Sequence, residues 1–503
     1  MREATAEILR ELGQRADDMK QRIRAARDEI EVPGANYYVA ADGDDANDGQ
    51  SPARPWKTTA RVSSARLCPG DAVRFRRGDV FRGPIICRPG VTYAAWGEGP
   101  KPAVHGWERG LSDPALWACV DAARHIYRLR DALPDCGTLV FDGGVRHSRK
   151  LIPSFVGGRF VCRDEPDRPF VMADEMREDL DLFCDCRSVM TNIPSHGQTW
   201  PVPHMCAENR GALYLRCDEG NPGEVFESIE ALPGRHTLLV GSADHVHIDN
   251  LCLKYCGAHA ISAGGPCVRD LRVTNCEIGW VGGTIQHYLG TDPNYPEGTR
   301  GSVTRFGNGI EIYGGCDGYL CANNYIYQVY DAGITHQYTV SEGETCAMRN
   351  IRYTGNLIEN CSYSIEYFLS CTAGSDSLME NVEIDHSLMR FSGYGWGRQR
   401  HNFWTPAHIK SWLFENPARQ FSVHDNVFDR AKYLLLQLCC GSEEDCPEVR
   451  HNVYVQSLGR ALGQFGAVET CPPPVLAFFE TSDADIERVV GDGLASAYYV
   501  DAD

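Results

Sequence analysis

The sequence predicts an all-β protein: a right-handed parallel β-helix with an N-terminal amphipathic helix and an inserted loop region. Three observations lead to this prediction: seven β-rich segments after residue 243, a charged helical pattern over residues 3 to 30, and a stretch from 111 to 240 without the repeat. Recurrence at a spacing of a few tens of residues is typical of a solenoid, whose coils stack on one another. With 503 residues, 43% of them apolar, the chain can form a large core.

Residues 1 to 34 predict one amphipathic helix that ends at Pro33 and Gly34. Its apolar positions are Ile8, Leu9, Leu12, Met19, Ile23 and Ile30. We expect this helix either to cap the end of a larger body or to join copies of the chain in a homo-oligomer. The region lacks the apolar run of a signal peptide, and no window elsewhere is apolar enough to span a bilayer, which favours a cytoplasmic protein without a membrane partner.

The rest of the chain divides into four parts. We expect the first β-helix coils at 35–110, an insertion or irregular subdomain at 111–240, the central and C-terminal coils at 241–470, and a tail or cap at 471–503. The central part holds the candidate site.

The stretch "GNGIEIYGG", residues 307 to 315, places an acid inside an apolar strand. Side chains alternate between the two faces of a strand, so Glu311 points away from the face of Ile310 and Ile312. Similar stretches align Ile310, Ile334 and Ile365 at one inward position. They place Glu311, Thr335 and Glu366 at the next, outward position, with steps of 335−311 = 24 and 366−335 = 31 residues.

Three acids should therefore converge on the outer face. Asp331 has the same strand parity as Thr335, and its coil lies between those of Glu311 and Glu366. Glycoside hydrolysis needs a protonated acid and a second carboxylate that acts as nucleophile or base. We expect Glu366 and Asp331 to form this catalytic pair, with Glu311 orienting the substrate or replacing one of them. The alternative is that outward acids on a β-helix are merely solvated.

Aromatic and amide side chains near the acids favour a carbohydrate partner, because sugar rings pack on aromatic planes and their hydroxyls need polar partners. We expect Trp396 at the next outward position of the stack and Gln337 at a hydroxyl-binding position. His336 would be either a core histidine or a substrate ligand. The expected substrate-binding residues are Tyr313, Thr335, His336, Gln337, Trp396 and Trp404.

Charge, cysteine spacing and the lack of known binding motifs argue against nucleic-acid-binding, metal-binding and nucleotide-binding proteins. The net charge of −19 and the absence of a basic block argue against a nucleic-acid partner. The 22 cysteines are scattered without paired CxxC spacing, so we expect reduced, buried thiols and no structural zinc. The acidic run "DGDDANDG" resembles a calcium loop in composition but lacks its spacing, and no nucleotide-binding fingerprint is present. We therefore expect no metal and no cofactor.

The early segments "NYYVAADGDDANDGQSPARPWKTTARV", "PGDAVRFRRGDVFRG" and "WGEGPKP" carry a resemblance. They look like the opening of right-handed parallel β-helix proteins of the pectin-lyase-like superfamily, many of which are carbohydrate-active enzymes. The likeness extends over residues 36 to 470. Within that superfamily the chain resembles β-helix glycoside hydrolases such as bacterial β-xylosidases and lacto-N-biosidases. This resemblance implies a carboxylate pair on adjacent coils, which maps to Asp331 and Glu366.

The sequence thus favours a glycoside hydrolase that acts on oligosaccharides or glycosides. A polysaccharide lyase or uronate epimerase is one alternative, and the resemblance implies that a lyase would need a Lys or Arg base beside the acids and often calcium. We expect Lys254 and Lys410 outside the column of Glu311, which disfavours a lyase. A non-catalytic carbohydrate-binding solenoid is the other alternative.

Overall fold

The computed structural model is a parallel β-helix, as predicted. It describes residues 2–27, 30–156, 159–163, 165–186, 205–288, 303–400, 406–467 and 496–501. Each complete coil contributes strands to three sides. We call them the α1 side, after the helix α1 at Ala6–Ala25, the acid side and the third side. Neighbouring strands on each side pair in parallel, so equivalent residues of successive coils form columns along the axis.

The α1 side is an 11-stranded sheet. Beginning from the first coil, its strands are Val80–Arg82, Ala103–His105, Cys252–Cys256, Glu277–Val281, Tyr325–Val329, Leu357–Glu359, Leu388–Ser392, Val427–Ala431, Val453–Ser457 and Ala497–Val500, followed by the N-terminal Arg2–Glu3. The predicted C-terminal part at 471–503 therefore contributes a strand, although most of it lies outside the described residues.

The other two sides are joined by long strands. The acid side contains Ile85–Ile86, Leu238–Gly241, Ala332–Thr339, Tyr363–Ser370, Ala407–Ser411, Leu434–Cys440 and Gly463–Ala467. The third side contains Asn36–Val39, Ala72–Arg76, Thr92–Trp96, His247–Asp249, Ala347–Thr354, Leu378–Asp385, Ala418–His424 and Glu448–Arg450. Ile261–Thr274 and Ile310–Ala322 run through both sides, and they pass from the acid side to the third side at Gly265 and Gly314, whose φ values are positive.

The interior is a continuous apolar core. On the acid side the strand pairing stacks Ile261, Ile310, Ile334, Ile365, Ile409 and Leu436, all buried. This register confirms the predicted inward position of Ile310, Ile334 and Ile365. The described cysteines are free thiols, most of them buried among these apolar residues, which agrees with the prediction for them.

A ladder of polar side chains lines one corner of the coils. The backbone N–H of Asn324 donates to Asn356 Oδ1 at 3.0 Å, that of Asn356 to Ser387 Oγ at 3.1 Å, and that of Ser387 to Asn426 Oδ1 at 3.0 Å. Each ladder residue follows a residue with a left-handed backbone, such as Asn323 or Gly355, which makes the turn. The ladder therefore satisfies buried backbone groups where the chain leaves the sheet hydrogen bonding.

Helix α1, Ala6–Ala25, lies along the α1 side. Its buried residues Leu12, Ala16, Met19 and Ile23 pack on a strip from five successive coils. That strip consists of Tyr325, Leu357, Leu388, Val427 and Val455. The prediction that this helix caps an end is wrong, because its apolar face covers this strip along the axis. Its role in a homo-oligomer stays a prediction.

The inserted region leaves the solenoid after the second strand of the α1 side. Its five-stranded sheet contains Trp117–Asp121, Ile126–Leu129, Ala212–Arg216, Asp181–Asp185 and Arg149–Lys150. Two three-stranded sheets contain Arg146–His147, Cys136–Phe141 and Ile229–Pro233, and Ser154–Val156, Arg159–Cys162 and Glu165–Pro169. The region has its own apolar core, and the solenoid resumes at Leu238.

The remaining elements are short. They are the helices Thr59–Ser64, Met172–Glu175 and Pro222–Val225, the hairpin strands Thr284–Tyr288 and Val303–Phe306, and the 3-10 turns Pro114–Leu116, Asp142–Gly144, Ala207–Asn209, Trp396–Gln399 and Glu443–Asp445. Within the described ranges, every helix is too short or too polar to cross a bilayer.

Candidate active site

One outward column on the acid side carries the candidate site. Strand pairing places its members in the order Ser262, Glu311, Thr335, Glu366, Lys410, Gln437 and Gln464. The predicted alignment of Glu311, Thr335 and Glu366 is therefore confirmed. With Thr335 between them, the two glutamates are separated at the backbone by about 9 to 10 Å, twice the distance between strands.

Two glycines allow the coils to stack tightly beside this column. A Cβ atom at Gly309 would lie 2.4 Å from the carbonyl oxygen of Gly333, and one at Gly333 would lie 2.7 Å from that of Ser364. Neither position has room for a side chain. Asn308 then joins two coils, because its Oδ1 accepts from the backbone N–H of Ala332 at 2.9 Å and its Nδ2 donates to Glu311 Oε2 at 2.6 Å.

The three predicted acids converge in a buried cluster. Glu311 is 5% exposed, Asp331 6% and Glu366 3%. Burial raises the pKa of Glu311 to about 8, and the charges of Glu366 and Asp331 add to this effect. Hydrogen bonds from Asn308 and Gln337 oppose the rise. Glu311 Oε2 also lies 3.0 Å from His259 Nδ1, which accepts the backbone N–H of Asn308 at 2.9 Å.

Asp331 differs from the glutamates because it forms an ion pair. Its Oδ1 contacts the Arg400 guanidinium, which is itself buried. Burial raises the pKa of Asp331, and the charge and hydrogen bond of Arg400 oppose that rise. Arg400 also lies over the ring of Tyr363, 5.2 Å from its centroid. The ion pair favours the carboxylate form of Asp331.

Glu366 lies between Asp331 and two residues of the following coil. Its Oε1 accepts a hydrogen bond from Trp412 Nε1 at 2.5 Å. Burial and then the neighbouring Asp331 raise the pKa of Glu366 to about 8, while Arg400 and the Trp412 bond oppose the rise. Glu366 is therefore a carboxylic acid at neutral pH, and Trp412 fixes its orientation.

Lys410 directly follows Glu366 in the column, so the prediction that Lys410 lies outside it is wrong. The same pairing shows that the next outward position belongs to Lys410 and not to Trp396. Lys410 is buried, donates to Gln437 and lies 4.5 Å from the centroid of the Trp412 ring. Burial lowers the pKa of its ammonium group to about 8. A basic residue with a perturbed pKa thus accompanies the acids.

Three predicted substrate-binding residues lie near the acids. Thr335 separates Glu311 from Glu366, and its Oγ1 is buried without a hydrogen-bond partner in the described part of the chain. Gln337 and Tyr313 occupy a second outward column and pair with each other across the coils. Gln337 hydrogen-bonds Glu311, and Tyr313 packs edge-on against Tyr338. Their roles in binding stay predictions.

His336 and Trp396 do not face this cluster. The alternation of the strand sends His336 into the core, where its Nδ1 lies 2.9 Å from the Tyr353 hydroxyl and burial lowers its pKa to about 3. Trp396 is only 1% exposed, and its indole N–H donates to the Gln328 carbonyl at 2.8 Å. Both residues support the packing instead of offering a face to a ligand. Trp404 lies outside the described residues.

Sequence reasoning missed Arg400, Lys410 and Trp412. The stretch "AHIKSW" repeats the pattern of an inward isoleucine followed by an outward residue seen in "GITHQ" and "SIEYF", and this signal could have identified Lys410. The step of 410−366 = 44 residues hid it, because the coil between them carries long connections. Arg400 comes from one of these connections, which have no period to align.

One group outside the acid cluster has the composition of a metal site. Ligand atoms of Glu383, Asp385 and His424 lie within 4.8 Å of one another. Arg352 forms ion pairs with Glu383 at 3.2 Å and with Asp385 at 3.0 Å, and His424 Nε2 lies 2.9 Å from Glu383 Oε1. These carboxylates are therefore already paired within the protein.

Comparisons with known proteins add no assignment of activity. No protein-family model matches the chain, and no curated protein matches it. Solved structures similar to it include a GH136 lacto-N-biosidase from Eubacterium ramulus, with 12% identity, TM-score 0.39, and coverage of 99% of this chain and 71% of that chain.

Two other solved structures are similar to the chain at low sequence identity. The complex of XylC with xylose has 12% identity, TM-score 0.39, and coverage of 86% of this chain and 72% of that chain. An exopolygalacturonase from Thermotoga maritima has 11% identity, TM-score 0.28, and coverage of 90% of this chain and 94% of that chain. At these values the likenesses assign no reaction to this chain, and the β-helix rests on the strand pairing described above.

Proposed function

We propose that the protein is a glycoside hydrolase acting on oligosaccharides or glycosides. The observation that carries this proposal is the cluster of Glu311, Asp331 and Glu366, in which two carboxyl groups have pKa values raised to about 8 and the third is held by an arginine. Cleavage of a glycosidic bond needs one carboxylic acid and one carboxylate on either side of the bond. This cluster supplies both forms at the same pH.

The environments of the acids suggest their roles. Glu366 donates its proton to the leaving oxygen, and Trp412 holds it in position. Asp331, ionised beside Arg400, either attacks the anomeric carbon or removes a proton from the attacking water. Glu311 orients the sugar hydroxyls together with Gln337, or replaces one member of the pair. The bond to the leaving oxygen breaks as that oxygen takes the proton of Glu366.

The test is turnover of a panel of nitrophenyl glycosides and oligosaccharides. Glu366→Gln, Asp331→Asn and Glu311→Gln should each lower kcat at least about a hundredfold, the usual contribution of a general acid, base or nucleophile. Glu342→Gln, an exposed acid in a connection, is the matched control and should keep wild-type rates. Wild-type rates in two of the three variants would contradict the assignment.

Lys410 supports a second candidate function, a polysaccharide lyase or uronate epimerase. A lyase abstracts a proton with a base, and Lys410, with its pKa lowered to about 8, lies beside Glu366. The products separate the candidates: hydrolysis releases saturated chain ends, whereas elimination creates an absorbing double bond. The reactions are run with and without chelator. Saccharide binding without any turnover would instead indicate a carbohydrate-binding solenoid.

A further inference from the structure

A cavity of about 550 Å³ lies between the inserted region and the turn at residues 396–400. Its volume suits one small ligand or a sugar residue. Leu151, Ile152 and Phe170 form an apolar part of its wall, and the other part is strongly polar. Gln399 joins the turn to the inserted region. Its Nε2 donates to the Ser148 carbonyl at 3.0 Å, and its Oε1 accepts a hydrogen bond from the backbone N–H of Lys150 at 3.2 Å.

Arginine and lysine are the most frequent residues of the wall. Seven of the fourteen described wall residues are Arg or Lys and two are Glu. Most of these cations have acidic partners: Lys150 pairs with Asp135, Arg149 with Asp181 and Glu178, Arg168 with Glu165 and Glu175, Arg177 with Glu175, and Arg400 with Asp331. Arg398 is exposed and forms no ion pair within the described ranges. The charge of Arg398 is therefore available to attract a ligand of the opposite sign.

Arg400 connects the cavity to the acid cluster. Its side chain is 7% exposed, lines the cavity, and contacts Asp331 through one terminal nitrogen. Its Nε is buried and has no hydrogen-bond partner in the part of the chain that the structure describes. A guanidinium has five N–H donors in a fixed fork, and it recognises planar or tetrahedral oxyanions through two of them. Arg400 therefore has unused donor capacity next to Asp331.

We propose that this cavity is a subsite for an oxyanion on the saccharide, either the carboxylate of a uronic acid or a sulfate ester. The inference rests on the proposed function and names its substrate class as acidic sugars. Arg398 and Arg400 bind the anionic group, and the apolar wall packs against the C–H face of the ring. The neighbouring bond of the same saccharide then lies toward Asp331.

Isothermal titration calorimetry tests this subsite without requiring turnover. The probes are glucuronic acid, glucose 6-sulfate and glucose. We expect one or both acidic sugars to bind at least about tenfold more tightly than glucose, which corresponds to one charge-assisted hydrogen bond. Added salt should weaken this preference, because it screens the attraction between the anionic group and the two arginines Arg398 and Arg400.

Arg398→Gln is the decisive variant, because the Arg398 side chain is exposed and we expect its loss to leave the fold intact. This variant should lower the affinity for the acidic sugar at least about tenfold and leave the affinity for glucose unchanged. The matched control is Arg419→Gln, an exposed arginine on the third-side strand Ala418–His424, which should behave as wild type. Equal affinity for acidic and neutral sugars, or an unaltered preference in Arg398→Gln, would overturn the subsite.

Kinetics with nitrophenyl glucuronides and glucosides separates this proposal from the hydrolase proposal. Acidic sugars that bind tightly while no glycoside is cleaved would support the subsite and refute hydrolysis. Cleavage of neutral glycosides together with equal binding of acidic and neutral sugars would support hydrolysis and refute the subsite.

Discussion

Glu311 and Glu366 are unusual residues for an outer face, because both are buried acids that keep their protons at neutral pH. Each has a pKa of about 8, compared with an ordinary value of 4.5. Burial disfavours their charged forms, and only Asp331 has a buried arginine as its direct ion-pair partner. The cluster therefore places two carboxyl groups with raised pKa values beside one that is ion-paired with an arginine, and the proposed acid–base mechanism uses this difference.

Protonated buried glutamates make stability depend on pH. Between the unfolded value of 4.5 and the folded value of about 8, the folded state holds a proton on Glu366 that the unfolded chain has lost. Stability should therefore fall as the pH rises through this window. Glu366→Gln removes this loss. At about pH 9 we expect its free energy of unfolding to exceed that of the wild type by at least about 1.4 kcal/mol, the equivalent of one pKa unit.

Urea unfolding of the wild type and Glu366→Gln at acidic and alkaline pH measures this difference. The difference should shrink toward zero at about pH 4, where both states of the wild type hold the proton. Glu342→Gln is the control, and its difference in stability from the wild type should not depend on pH. A constant difference across the range would contradict the raised pKa.

Lys410 offers a second test at this scale. Its positive charge lowers the pKa of Glu366, so Lys410→Met should move the alkaline limb of kcat/KM to higher pH in a hydrolase. In a lyase or epimerase that uses Lys410 as base, the same substitution should instead abolish turnover. A pH–rate profile of the two proteins distinguishes these results.

At the residue scale, the groups that could be predicted from the sequence lie on regular strands or, like Asp331, directly before one. Glu311 and Glu366 follow inward isoleucines in strands with a common pattern, so their column was visible. Arg400 lies at the end of an irregular turn, and its contact with Asp331 depends on how a long connection folds back. His336 was ambiguous because the end of a strand, and with it the end of alternation, leaves no clear signal in the sequence.

Among the elements, the polar ladder shows how a coil is held at its corner. Asn356 uses both ends of its amide: Oδ1 accepts from the backbone of Asn324, and Nδ2 donates to the Cys321 carbonyl at 2.9 Å. The sequence repeat located the coils, because inward apolar residues recur on each of them. It did not locate the ladder, because Asn is also common in exposed turns and a Ser takes one position.

Asn356→Ala should destabilise the protein by about 1 to 3 kcal/mol, because it leaves a buried backbone N–H and a buried carbonyl without partners. Chemical unfolding measures the loss. Asn381→Gly is the control, since Asn381 is exposed with φ 56° and glycine adopts that conformation without strain. A loss in Asn356→Ala no greater than in this control would contradict the role of the ladder.

For the whole molecule, α1 connects distant coils of the stack. Arg2–Glu3 pairs with the last described strand, Ala497–Val500, and at the other end of the helix Arg24 pairs with Glu277 of an earlier coil at 2.9 Å. The helical pattern of residues 3 to 30 could be predicted from sequence. Its location along the side could not, since an amphipathic face does not specify which apolar strip it covers.

Ile23→Asp should lower Tm by several degrees and promote self-association, because it places a charge against the strip that α1 covers. Thermal unfolding and size-exclusion chromatography measure the two effects. Gln21→Asp introduces the same charge on the exposed face of the same helix and is the matched control. If both variants behave alike, α1 does not contribute to stability through this contact.

The stacking of Glu311, Thr335 and Glu366 in one column has a consequence for how such a site can diverge. Excising the 335−311 = 24 residues of one coil would bring Glu311 into direct register with Glu366 and reduce their backbone separation to about 4.8 Å. Carboxyl separation in this architecture thus changes in discrete increments, by deletion or duplication of whole turns. The excised segment contains Asp331, so Glu311 and Glu366 would be the remaining acids of the cluster. The separation of that new pair, on which the stereochemical outcome of glycosidic cleavage depends, would then be set by coil number.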